Sequence, residues 1–144
     1  REAKVTEPDR IEQTLLACMQ ASRENTTYAA ERMAEAGVTF SQEGFAGYAD
    51  ALLVAYSTSE TPDMARLLAE LPEQQAEAAA MAMTADPLEG EAASVIDDCV
   101  EKLRYKQINV RLKELADKMS AGEGDRTVLL REHAELMKKL KEFK

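Results

Sequence analysis

The chain has no tryptophan, one histidine, two cysteines, four prolines and six glycines in 144 residues. With His133 its only imidazole, and Cys18 and Cys99 far apart without C-x-x-C spacing, a structural zinc site is very improbable. The two thiols are expected to be buried and reduced in a cytosolic helical core. So few prolines and glycines leave little punctuation for a turn-rich β-architecture, and Val38-Thr39-Phe40 is the only extended-looking link. No apolar run approaches the roughly 20 residues that span a bilayer, and no charged n-region precedes an apolar h-region. No repeat with a period of about 20–50 residues is visible.

What is present is alanine, glutamate, leucine, lysine and methionine, with 45% apolar residues overall. This composition predicts an ordered, all-α chain of ordinary domain size. The net charge of −9 is unevenly spread. Residues 1–100 carry six Lys or Arg against nineteen acids, a balance of −13, whereas residues 101–144 carry twelve bases against eight acids, a balance of +4. The body should repel nucleic acid, while the tail suits an acidic protein surface. The opening Arg1 suggests a segment of something longer.

Five helices are expected before residue 86. Thr6 with Pro8 starts the first, which carries Ile11, Leu15, Leu16 and Met19. Asn25 or Thr26 should cap the second, with Tyr28, Ala29 and Met33 inward and Gly37 ending it. Thr39 and Gln42 have capping-box spacing for the third, with Phe45, Tyr48, Leu52, Leu53 and Tyr56 on its apolar side. Thr61-Pro62-Asp63 opens the fourth, which carries Met64, Leu67 and Leu68, and Pro72 opens an alanine-rich fifth whose inner residues would be Ala76, Ala79, Ala80 and Met83. Asp86-Pro87 starts the next segment, with Gly90 loosening its first turn.

From Ala92 the pattern reads as a long amphipathic helix, a turn at Ala121-Gly122-Glu123-Gly124, and a final helix capped by Asp125. Ile96, Val100 and Leu103 step by four and three, as do Ile108, Leu112, Leu115 and Met119. The five-residue join between Leu103 and Ile108 rotates the stripe by about 140°. The long helix should therefore serve two subdomains, a bundle over residues 1–103 and an antiparallel hairpin over 104–144. On the last helix Leu129, His133, Leu136, Leu140 and Phe143 form one seam, with Leu130 and Met137 beside it and Lys138, Lys139, Lys141 and Lys144 at its border.

No constellation for catalysis emerges. Phosphate-loop, dinucleotide, nucleophile-elbow and H-E-x-x-H patterns are all missing. Gly44 and Gly47 fall within a helix and cannot cradle phosphate. Asp97 and Asp98 point about 100° apart on a helix and cannot converge on one ion. Most of the seven methionines sit at core-period positions, Met137 excepted.

The segment Ile96-Asp97-Asp98-Cys99-Val100-Glu101-Lys102-Leu103-Arg104 leads into the long helix, and Leu112-Lys113-Glu114-Leu115 follows before a charged terminal helix. Together with Arg10-Ile11-Glu12-Gln13-Thr14-Leu15-Leu16-Ala17 and Phe45-Ala46-Gly47-Tyr48-Ala49-Asp50-Ala51-Leu52-Leu53, this order resembles the C-terminal helicase-binding domain of bacterial DNA primase. The resemblance spans essentially the whole chain. It implies a non-catalytic domain without cofactors. The parent enzyme, a DNA-directed RNA polymerase (a nucleotidyltransferase), would use zinc and magnesium in upstream domains missing from this sequence. The implied partner is the N-terminal domains of the hexameric replicative helicase at a bacterial, cytoplasmic replication fork, with the bundle stimulating the helicase and the hairpin attaching to it. Little direct nucleic-acid binding and no membrane binding are expected, and the isolated segment should be a monomer or a weak dimer. The residues expected to meet the partner are Leu130, His133, Met137, Lys138, Leu140, Lys141, Phe143 and Lys144. The alternative is a homodimerising helical module that pairs the Leu129–Phe143 seam with its symmetry mate.

Overall fold

A computed structural model describes residues 7–86 and 90–143. Those residues form seven helices and no strand: α1 (Glu7–Ala21), α2 (Arg23–Ala36), α3 (Glu43–Thr58), α4 (Met64–Glu70), α5 (Glu73–Met83), α6 (Ala92–Ala121) and α7 (Arg126–Leu140). No described helix is long and apolar enough to cross a membrane. The chain divides into two compact units, residues 1–102 and 103–144. Thr6, Pro87, Glu89 and Lys144 lie outside the described residues, and with them the expected N-cap at Thr6 and the segment start at Pro87.

The first unit is a helical bundle built around α1, which packs on α2, α3 and α5. Ile11, Leu15, Leu16, Cys18 and Met19 are all buried, as their spacing predicts. The α1–α2 junction corrects the expected start of α2. Ser22 is the N-cap, its hydroxyl accepting from the Asn25 N–H at 3.0 Å. Asn25 and Thr26 lie one turn inside the helix and reach backwards. The Asn25 amide donates to the Cys18 carbonyl and the Thr26 hydroxyl to the Met19 carbonyl, so both satisfy carbonyls that the end of α1 leaves open. A single serine between two helices thus suffices because the second helix caps the first.

At the far end of α2, Gly37 adopts φ 69°. The Val38 N–H bonds the Met33 carbonyl at 2.9 Å and the Gly37 N–H bonds that of Ala34, the Schellman arrangement, with Val38 and Met33 both buried. The start of α3 is a second correction. Gln42, not Thr39, is the N-cap, and its side chain makes no cap bond. The chain there is also held from α1. Glu12, 1% exposed, accepts from the Ser41 N–H and, at 2.7 Å, from the Ser41 hydroxyl. A buried carboxylate survives only when bonded in this way.

Phe45, Tyr48, Ala49, Leu52 and Tyr56 line the inner side of α3, whereas Leu53 is exposed. Both tyrosine hydroxyls donate to Gln20, Tyr48 to its side chain and Tyr56 to its carbonyl, each at 2.7 Å. Burial pushes the Tyr48 phenol up to about 12. α3 packs closely on α5, and Gly44 and Gly47 permit it. A Cβ at Gly44 would stand 2.6 Å from the Gln74 carbonyl oxygen, and one at Gly47 would stand 2.5 Å from the Gln75 side-chain amide. On α5 the buried residues are Ala78, Ala79 and Ala82, while Ala80 and Met83 face solvent, which corrects the expected inner set. An alanine-rich helix carries too little contrast between its faces to fix its rotation from sequence.

Asp63, not Thr61, caps α4 by accepting from the Arg66 N–H, and none of this short helix's residues is buried. The first part of α6 buries Ile96, Cys99 and Val100. Asp97 ties it to α2, accepting from the Tyr28 hydroxyl at 2.8 Å and from Arg32 Nε at 3.0 Å.

Two outcomes follow. Gly44→Ala should destabilise the first unit by about 1–3 kcal/mol, because the obstacle is backbone and the two helices must part. Gly47→Ala should be nearly neutral, since Gln75 can swing aside and alanine favours a helix by up to about 1 kcal/mol. Chemical denaturation of both variants checks this, and equal losses would contradict it. Cys18 and Cys99 are free and buried, and burial raises both thiols, Cys99 to about 12. Neither should react with Ellman's reagent at neutral pH until the chain is unfolded.

Candidate docking face

The second unit consists of the end of α6, a turn and α7. Gly122 (φ 71°) and Gly124 (φ 74°) make the turn, and the Glu123 N–H bonds the Lys118 carbonyl at 2.9 Å to close off α6. Asp125 then caps α7, accepting from the Thr127 and Val128 N–H groups. Both features lie where the sequence places them.

Three contacts set the register of α7 against α6. The Arg111 guanidinium meets the Glu132 carboxylate through two hydrogen bonds, Nε to Oε2 at 2.7 Å and Nη2 to Oε1 at 3.0 Å. Near the chain's end, Arg104 Nη2 reaches Glu142 at 3.2 Å. The Phe143 ring lies 4.8 Å from the Arg104 guanidinium carbon and edge-to-face with Tyr105 at 5.3 Å. Pairing 104 with 142 and 111 with 132 makes the two segments antiparallel.

This register decides which side of α7 is covered. Leu129 is buried, and His133, Leu136, Leu140 and Phe143 are half-buried. The opposite result holds about 100° around the helix. There Thr127, Leu130, Ala134, Met137 and Lys141 follow one another at spacings of three and four, and all are exposed, Leu130 at 49% and Met137 at 40%. Exposed Arg131 and Lys138 flank this row.

The expected partner-facing residues therefore fall into two groups. Leu130, Met137 and Lys141 share the open row, and Lys138 flanks it. Leu140 and Phe143 lie on the covered side, with Phe143 engaged by Tyr105 and Arg104, and His133 sits between the rows. Ala134 and Arg131 join the face although the sequence reading did not select them; their spacing of four and one from Leu130 is the signal that could have done so. Among the described residues no group of three or more His, Cys, Asp or Glu could hold a metal ion. Compared with protein-family models, curated proteins and solved structures, the chain matches none.

The Arg111 guanidinium holds the Glu132 carboxyl below its usual range. Since the folded value is depressed, this pair stabilises the fold above the unfolded carboxylate value of about 4.3 and stops doing so as pH falls through the folded value. Glu132→Gln should lower the melting midpoint at neutral pH, and its difference from the parent should shrink in acid. A constant difference across thermal melts from neutral to strongly acidic pH would contradict this.

Proposed function

We propose that this chain is a non-catalytic docking domain that binds a replicative DNA helicase, as the primase resemblance implies, and so couples RNA primer synthesis to unwinding at a bacterial, cytoplasmic fork. In this reading a bundle over residues 1–103 and a hairpin over 104–144 share α6, and the hairpin supplies the attachment. The observation that carries the reading is the open row of α7. Leu130, Ala134 and Met137 are exposed at helix-in-groove spacing, while the opposite side is already engaged with α6. Arg131 and Lys138 border the row and Lys141 ends it, so the partner surface is an apolar groove with an acidic rim, as one on the helicase's N-terminal domains would have to be. Leu130 and Met137 would supply most of the affinity, and the cations would mainly raise the association rate.

The alternative of a homodimer formed through the Leu129–Phe143 seam has less support, because that seam faces its own hairpin.

Titration calorimetry with a purified replicative helicase tests the proposal. Leu130→Glu combined with Met137→Glu should weaken binding by about 30-fold or more, as loss of a hot spot costs at least about 2 kcal/mol. Truncation after Lys139 should abolish attachment, since it removes Leu140, Glu142 and Phe143, while the bundle keeps its helicity. Unimpaired binding by both variants would remove α7 as the anchor.

A further inference from the structure

The first unit carries a largely apolar groove whose floor is made by core residues and whose rim is exposed. It lies between α2 and α3, has a volume of about 280 Å³, and its lining includes Met33, Val38, Phe40, Ala46, Leu53 and the exposed Asp50. Glu31 lies on the same side of α2 as Ala34, which also lines the groove. Among the described residues neither Asp50 nor Glu31 has an ion-pair partner. Bases are scarce in this part of the sequence. No lysine occurs between residues 5 and 101, and Arg32 is occupied by Asp97 and Glu35.

The complement of such a groove is a basic amphipathic helix, and this chain contains one. On α7, Leu130 and Met137 are seven residues apart, about 10 Å along the axis. On the groove wall Ala46 and Leu53 are also seven residues apart, so the two apolar rows have the same length. Arg131, Lys138 and Lys141 have no ion-pair partner among the described residues, like the groove's carboxylates.

We propose that the groove between α2 and α3 receives α7 of a second copy of this chain. Leu130, Ala134 and Met137 settle against Met33, Val38, Phe40 and Leu53, while Arg131 and Lys138 approach Asp50 and Glu31. The contact is head-to-tail, so each copy offers one groove and one helix, and association does not close at two copies. Because the same row of α7 is the proposed helicase anchor, a copy seated in a groove cannot also hold helicase through that helix.

Sedimentation equilibrium of the full chain over a wide concentration range tests this. The parent should show a mass that keeps rising above the monomer, and association should weaken by about tenfold as salt rises from about 0.05 M to about 0.5 M, where screening shortens to a few ångströms. Leu53→Glu and Met137→Glu change exposed positions and should each remain monomeric. Mixed in equal amounts they should form a dimer that grows no further, since only one intact groove and one intact helix remain. Asp50→Lys should weaken association, and adding Lys138→Glu to the same chain should restore it. A parent that stays monomeric throughout, or variants that fail to complement on mixing, would overturn the proposal. Leu53→Glu leaves α7 intact and should still capture helicase, so failure of self-association and failure of the helicase reading are separable.

Discussion

The two hydrogen bonds between Arg111 and Glu132 fix the rotation of α7, and everything proposed about its surface depends on that rotation. Guanidinium and carboxylate are planar forks that match only when face and register agree. Turning α7 by one residue, about 100°, would part the fork and pull Phe143 from Arg104 and Tyr105. A helix paired with a single neighbour can bury only part of its perimeter. With Leu129 buried and Leu136 and Leu140 half-buried, Leu130, Ala134 and Met137 stay in water. Their exposure follows from the geometry of two helices and needs no special device.

The first unit follows a different logic. Several of its polar groups hold elements together across helix boundaries. Glu12 on α1 secures Ser41 before α3, Gln20 receives Tyr48 and Tyr56, and Asn25 and Thr26 close the end of α1. Because each buried polar side-chain atom among the described residues is bonded, the bonds offset the cost of taking these groups out of water. The glycines of α3 bring α5 close enough for alanines to pack, so small side chains on one helix are matched by missing ones on the other.

Charge separates the two parts of the chain more sharply than fold does. An acidic bundle with an apolar groove and a basic, apolar-striped helix are complementary surfaces in one sequence. Such an arrangement favours contacts with partners of opposite sign, and long-range attraction would act before any apolar contact forms.

Composition alone determined that the chain is helical, and periodicity determined the inner faces of α1 and α3 and the two stripes of α6, because aliphatic side chains at helical spacing have one way to leave water. Gly37, Gly122 and Asp125 were legible too, since a left-handed C′ position and an N-cap each demand particular chemistry. Only the tertiary structure decided the rest. Asn25 and Thr26 look like caps, yet Ser22 precedes them and the end of α1 lies within their reach. Gly44 looks incidental until the Gln74 backbone lies against it. Phe143 looks like a free anchor until Arg104 and Tyr105, almost forty residues earlier, close on it. In each case the deciding neighbour comes from another helix, and a local pattern of residues carries no information about which helix that will be.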